Sequence, residues 1–415
     1  MTVLAPPSPP AVRSFRAKSL LTVGGMLTTQ LASVLLFFLM ARQAGPDSFG
    51  RLAAALAIVA LICDVVDFGA NTRLTRDLAA GSDVSALFRR VLTVKAIAGP
   101  AVCLSLVLAV AAFDVPDAAA LALLAATVPL LLLANLLLVP SRAAGAAGTV
   151  AVALIFERLV ALAVAVALLA TGMSAPIAFG LAIATGSATA LLAAWVVCPP
   201  ALCRPARMPA AAVAEVYWDS RSFGWPSVMS DLRLLDVPLV GLIAGPAVAG
   251  IFALPARITG PLGTIATGFS VTVLQHAAAE RHRPGVRSEF LRGLLAMMTL
   301  VSVVLVLTAA AAPQIVDVVL GPQYASAVLP LQLICAGMVL ASLNQPMAQL
   351  LQALGRERLV AATLSVAALL GLASVAVGAA VAGAAGASAA FVGLQVVVSA
   401  RLVPAFRDAL PELAP

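Results

Sequence analysis

Apolar windows about twenty residues long follow one another along almost the whole chain. That length is what an α-helix needs to cross the hydrocarbon core of a bilayer, roughly 20 residues at 1.5 Å each. In lipid every backbone N–H and C=O must be satisfied inside its own segment, so an apolar chain of this kind folds as helices. Only 10% of the 415 residues are charged, against roughly 25% in a soluble domain, and mean hydropathy is +1.08. No hydrophilic block is long enough for a soluble catalytic domain. The expected fold class is therefore an all-α polytopic membrane protein.

The apolar segments give about twelve transmembrane helices, near 19–41, 51–70, 88–112, 118–140, 149–171, 175–197, 221–244, 247–274, 291–312, 325–350, 358–379 and 383–403. The first is too long for a signal-peptide core and lacks a polar exit, so it is kept as a helix. Residues 1–18 are read as a Pro-rich, disordered N-terminus ending in Arg13, Arg16 and Lys18. With this count, alternate loops collect the arginines: Arg73, Arg76, Arg89, Arg90, Arg142, Arg204, Arg207, Arg281, Arg283, Arg287, Arg292, Arg356 and Arg358. The other set holds only Arg42 and Arg51. The positive-inside rule places both termini in the cytoplasm. The net charge of +7 is thus loop bias, not a nucleic-acid footprint.

The two halves of the chain resemble each other. Ala44-Gly45-Pro46 with Gly50 recurs as Ala244-Gly245-Pro246 with Gly250, and Ala143, Gly145, Val150 and Ala151 recur as Ala353, Gly355, Val360 and Ala361. Each match falls at the same turn within its half. Six helices separate the copies, so the repeats are parallel and related by an axis along the membrane normal. The expected organisation is an N-lobe at 19–198, a linker at 199–216, a C-lobe at 217–405 and a cytoplasmic tail at 406–415, with a central cavity between the lobes.

Charges inside the membrane mark function by default. The stretch from Phe223 to Arg257 carries Asp231, Arg233, Asp236 and Arg257 in an otherwise apolar context. Arg257 counts to mid-membrane, and Lys95 and Arg158 to roughly 10–13 Å from the inner surface. Arg257 and Arg158 are the main candidates for binding a polar, anionic cargo, with Arg233 and Lys95 behind them. Plainer readings stand beside these. Arg233 and Asp236 would neutralise each other on one helix face. Lys95 would snorkel to the interface. Arg158 would be held by Glu157, although adjacent helical residues do not normally face each other. Asp64 and Asp67 would pair with Arg73, Arg76 or a neighbouring helix. Gln30, Asn135 and Asn344 would bond sugars or, equally, neighbouring helices. Asp231 and Asp236 are candidates for ion coupling; burial favours the neutral acid and a nearby arginine the carboxylate, and the sequence leaves the balance open.

The five cysteines are scattered and read as packing residues. Only His276 and His282 exist, both in one basic loop, so no metal centre and no cofactor are expected.

Several stretches together resemble a known family. They are Ala41-Arg42-Gln43-Ala44-Gly45-Pro46, Phe49-Gly50, Asp67-Phe68-Gly69, Ala256-Arg257, Leu320-Gly321-Pro322-Gln323-Tyr324 and Ala353-Leu354-Gly355-Arg356. Their order resembles the polysaccharide-biosynthesis (Wzx-type) flippases of the multidrug/oligosaccharidyl-lipid/polysaccharide (MOP) exporter superfamily. The resemblance implies a MATE-like fold and transfer of polyprenyl-pyrophosphate-linked oligosaccharide from the inner to the outer leaflet of a bacterial inner membrane. It also implies membrane lipids and polysaccharide polymerase or assembly proteins as partners. Gly250-Ile251-Phe252 lacks a Tyr often found there. The alternative is a drug/cation antiporter of the same superfamily, which would want carboxylates and aromatics in its cavity; aromatics are only 5% here. Short outer loops argue against a membrane enzyme, and the intramembrane charges against a passive scaffold.

Overall fold

The computed structural model describes residues 12–206, 210–280 and 284–413. Expectations for residues 1–11, Arg207, Arg281, His282, Arg283 and residues 414–415 lie outside the described residues. The described chain is helical, with no strand. Nine of its helices are long and apolar enough to cross a membrane. Two of these are each a pair. The segment Val12–Asp67 loses helical geometry at Gly45. The rings of Phe37 and Phe49, which a straight helix would hold about 18 Å apart, lie 6.3 Å apart. The segment Glu357–Ala409 breaks at Ala382 and Gly383. A Cβ on Gly378 would come within 2.4 Å of the Gly386 carbonyl oxygen, so the chain doubles back there too.

The spans are α1 (12–44), α2 (46–67), α3 (Ser85–Ala112), α4 (Ala118–Ala143), α5 (Ala147–Ala170) and α6 (Ala175–Val197) in the first half. The second half has α7 (210–244), α8 (Pro246–Glu280), α9 (Val286–Ala310), α10 (Val328–Ala353), α11 (357–381) and α12 (384–409). The arrangement is the expected all-α, two-lobed membrane fold. Large apolar side chains face outward, among them Leu242 at 84% and Val196 at 82% exposure, which only a lipid surround makes favourable. Trp195, Trp218 and Trp225, the three tryptophans of the chain, are exposed and belong to α6 and α7 on either side of the 198–209 connection, as interfacial anchors do.

Three elements differ from the sequence expectation. Residues 12–18, read as part of a disordered N-terminus, are already the start of α1. The helix expected at 221–244 begins at Ala210, inside the stretch read as linker. It is also broken, α-helical to Asp231, 3-10 from Leu232 to Leu235, and α-helical again from Asp236 to Ala244. The tail expected from 406 is helical through Ala409.

The repeat is built into the backbone. Gly45 (φ 74°, ψ 168°) and Gly245 (φ 94°, ψ 161°) share a conformation open essentially to glycine alone, and each is followed by Pro at the first position of a helix. The two turns meet. A Cβ on Gly50 would sit 1.8 Å from the Pro246 carbonyl oxygen, and one on Gly250 would sit 2.3 Å from that of Pro46. The reciprocity marks a pseudo-two-fold axis through this contact. Nearby, buried Tyr324 donates to the Ala41 carbonyl at 3.0 Å, Arg42 donates to the Val318 carbonyl, and Gln323 to that of Arg42. The end of the molecule carrying the Gly-Pro turns is therefore clasped shut between the lobes. The largest buried core cluster also crosses the seam, from Leu36, Met40 and Phe49 to Leu254, Tyr324 and Leu350.

Candidate functional site

The α1–α2 hairpin packs against α5 on one side and α8 on the other. On α8, Arg257 lies eleven residues from Pro246, roughly 16 Å along the axis and so near mid-span. Pro255 and Pro261 flank it and withdraw two helix N–H donors, and Thr259 donates back to the Pro255 carbonyl at 3.0 Å. The Arg257 guanidinium lies over the ring of Phe37 on α1, 4.1 Å from its centroid. A cation over a ring face gains about 0.5–2 kcal/mol. Phe37 is itself gripped edge-on by Phe49 and Phe179. Among the described residues no carboxylate lies within ion-pair distance of Arg257, yet the side chain keeps some exposure.

Arg158 of α5 is the cation whose field Arg257 feels. The two arginines singled out in the sequence, on α8 and α5, are thus within electrostatic reach of one another. Arg158 also bonds Glu157 at 3.3 Å, so the plainer reading of that residue is realised too. The flexible side chains curl around the helix to meet, which the rule for adjacent positions did not anticipate. Arg158 stays about one-third exposed, while Glu157 is buried. Gln30 lies seven residues before Phe37, two turns along the same face of α1. It is half-buried and makes no hydrogen bond among the described residues.

The remaining candidates are placed elsewhere. Lys95 is 1% exposed; its ammonium pairs with Asp67 and donates to Asn71 at 2.9 Å. It does not snorkel. Asn135 accepts from Arg142 at 3.1 Å and sits beside this cluster. Asn344 donates to Gln395 at 3.0 Å and accepts from Ser399 at 2.8 Å, so its polar groups tie α10 to α12. Arg233 is exposed in the 3-10 turn and makes no ion pair with Asp236 among the described residues. The 3-10 turn keeps positions three apart on one side, and Arg233 still acts on Asp236 through its charge without closing an ion pair. Of the pairings expected for Asp64 and Asp67, those with Arg73 and Arg76 are not made, whereas that with a neighbouring helix is, by Asp67. Arg73 bonds Asp77 and Asp219, Arg76 bonds Asp77 and stacks on Phe223, and Asp67 takes Lys95. Asp64 faces Asp231 across the α2–α7 contact. That carboxyl pair, with Asp231 at the last α-helical residue before the break, was missed by sequence reasoning; the signal that could have found it is Gly69 and Gly224, which let the two segments approach.

The α2–α7 contact is close. Gly69 and Gly224 leave no room for side chains against Phe223 and Phe68, and Tyr217 donates to the Val66 carbonyl at 3.1 Å. The first part of α7 is thus strapped to the N-lobe. No His/Cys/Asp/Glu group suited to a metal occurs among the described residues.

The sequence profile of the polysaccharide biosynthesis protein family matches residues 15–263, more than half of the chain. The protein belongs to that family. No curated protein sequence matches it. Among solved structures it is similar to an inward-facing multidrug resistance MATE transporter of the MOP superfamily (14% identity, TM-score 0.72, covering 92% of this chain and 94% of that one). It is also similar to the lipid II flippase MurJ in an inward closed conformation (11%, 0.75, 94% and 87%). A third likeness is to a MOP superfamily transporter from Pyrococcus furiosus, described by the reverse polarity of its binding pocket (16%, 0.64, 96% and 96%). The family member therefore has the MOP exporter fold in a multi-pass membrane protein.

Proposed function

We propose that this polysaccharide biosynthesis family member is a transporter, not an enzyme. In this reading it moves polyprenyl-pyrophosphate-linked oligosaccharide from the inner to the outer leaflet of a bacterial inner membrane. The observation that carries the reading is Arg257 near mid-span over Phe37, with no carboxylate partner among the described residues and within electrostatic reach of Arg158 from the other lobe. Two like charges in a low-dielectric span gain most from an anion between them, and the planar guanidinium fork suits phosphate. Gln30, further along the same face, is assigned to the glycan. Lys95, Asn135 and Asn344 are assigned to holding the lobes in shape. The clasp of Gly-Pro turns is the gate at the outer face, and both termini are cytoplasmic, as the arginine distribution supports. Rocking of the lobes exposes the site alternately. The Asp64–Asp231 pair and Asp236 are assigned to ion coupling, because they flank the interruption of α7 and broken helices hold coupling ions in such folds.

The test is outward movement of a lipid-linked oligosaccharide in sealed proteoliposomes, scored by an external glycan-binding probe at matched protein content. Arg257→Ala and Arg158→Ala are expected to lower the rate at least tenfold, and Arg257→Lys to retain part of it. Export of an organic cation with both arginine variants unimpaired would replace this reading by the drug/cation antiporter.

A further inference from the structure

Helix α7 belongs to two hydrophobic cores. In its first part, Val216 is buried in a cluster with Leu74, Phe88, Leu136 and Ala194; every other buried member among the described residues comes from the N-lobe. In its last part, Val240 is buried with Ala249, Phe252, Val375 and Ala387, all from the C-lobe. The polar contacts of the first part point the same way. Asp219 pairs with Arg73 and Glu215 with Arg90, Tyr217 donates to the Val66 carbonyl, and Arg76 stacks on Phe223. A Cβ on Gly224 would lie 2.4 Å from the Phe68 carbonyl oxygen, and one on Gly69 2.5 Å from the Gly224 nitrogen, so the two segments interlock. Each part also touches the opposite lobe across the seam, the first at the α11–α12 pair and the last at the α1–α2 hairpin.

The changeover between the two cores falls at the 3-10 segment Leu232–Leu235. Pro238 lies just beyond it, withdraws the N–H that would bond the Leu234 carbonyl, and crowds that carbonyl with its ring. The internal repeat supplies a control within the same chain. Gly45 and Gly245 set the register, so residues 32–35 and Phe38 of α1 correspond to the break and to Pro238. There the helix runs on without interruption. The connection before α7 is pinned to the N-lobe as well. Arg89 donates to the Arg204 carbonyl at 2.9 Å, and Thr93 both donates to and accepts from the Ala206 backbone at 2.9 Å. A helix shared by two bodies must bend when they turn, and it bends most readily where a hydrogen bond is already missing.

We infer that residues 210–231 travel with the N-lobe and that the lobes pivot at Leu232–Leu235. The boundary between the moving bodies then lies inside α7, not in the 199–216 connection where the sequence placed it. Asp231 and Asp236 stand on either side of the pivot, one on each body. The inference rests on the rocking of the lobes proposed above, but on no particular cargo.

Distances between paired spin labels, measured by pulsed electron paramagnetic resonance on the full-length protein in lipid nanodiscs, test this. The five native cysteines are replaced, and labels go on exposed positions: Ser82→Cys on the N-lobe, Ser222→Cys on the first part of α7 and Ser288→Cys on the C-lobe. Gly50→Ala, whose added Cβ meets the Pro246 carbonyl, drives the lobes apart at the clasp, with Gly250→Ala as a second driver should the first fail to fold. The 82–288 distance is expected to shift by about 5 Å or more, close to one helical turn. The 222–288 distance should shift with it, while the 82–222 distance stays constant. Pro238→Ala, which restores the missing N–H, is expected to cut the 82–288 shift at least twofold. A constant 222–288 distance with a shifting 82–222 distance would place all of α7 in the C-lobe and overturn the pivot while leaving the rocking intact. A full 82–288 shift in the Pro238→Ala protein would also overturn the pivot. An 82–288 distance unmoved by either driver would overturn the rocking, and the pivot with it.

Discussion

Replacing Gly50 by alanine adds one methyl group where the two repeats touch. The new Cβ would lie 1.8 Å from the Pro246 carbonyl oxygen and 2.7 Å from the Gly250 nitrogen. Real Cβ contacts are essentially never under 3.0 Å, so the seam must part by at least about 1.2 Å at that point. Both neighbours are backbone, and no flexible side chain can yield. Overpacking of this kind costs about 1–3 kcal/mol. The clash exists only while the Gly-Pro turns are clasped, so the whole cost falls on that conformation. An energy of 1–3 kcal/mol moves a two-state equilibrium by roughly 5- to 150-fold. Gly50→Ala should therefore favour a molecule open at this end without unfolding it. Gly250→Ala should act in the same direction but more weakly, since its clash with the Pro46 oxygen is 2.3 Å. Gly45→Ala is the contrast, because its Cβ meets nothing within 4 Å and the penalty is backbone strain alone. The assay is labelling of Ala253→Cys, buried one turn from Arg257, by a membrane-impermeant maleimide added to intact cells in a background freed of the five native cysteines. Labelling should rise at least fivefold with Gly50→Ala. An unchanged rate in a variant of normal expression and thermal midpoint would refute the clasp as a gate.

Lys95→Ala leaves the Asp67 carboxylate without its ammonium in a buried setting, a loss of about 3–5 kcal/mol. Thermal unfolding in detergent should show a marked drop, largely restored by adding Asp67→Asn. Tyr324→Phe removes the buried bond to the Ala41 carbonyl and costs about 1–3 kcal/mol. Because that bond joins the lobes at the clasped end, the variant should also raise Ala253→Cys labelling. A Tyr324→Phe protein that is less stable yet labels at the parent rate would confine the bond to folding.

What could be read along the chain was whatever is encoded locally. Twenty-residue apolar windows identify spans because the bilayer imposes one length and one backbone solution on every segment. Gly-Pro pairs identify turns because only glycine takes the required φ and proline starts the next helix. Those two signals also exposed the repeat. The pairing of charges was much less legible. Lys95 and Asp67 are 28 residues apart and meet through the packing of α2 against α3. For Asn344 the sequence left sugar and interhelical bonding equally open, and the fold satisfies it with Gln395 and Ser399. The break in α7 falls in Leu232-Arg233-Leu234-Leu235, a run with good helix propensity; its local signal is Pro238, which withdraws the N–H that would bond the Leu234 carbonyl and crowds that carbonyl with its ring.

The sequence by itself determined that the chain is a bundle of membrane helices, where the turns fall, and that two similar halves are repeated. The surrounding lipid makes hydropathy decisive over each span, and backbone sterics do the same at glycine. Only the tertiary structure decided which polar groups are spent on one another and which are left over. It cancels Lys95 against Asp67, uses up Asn135 and Asn344, and leaves Arg257 over Phe37 with Arg158 nearby. A charge inside a membrane is costly wherever it lies along the chain. Whether a partner offsets that cost depends on which helices become neighbours, and that is a property of the fold.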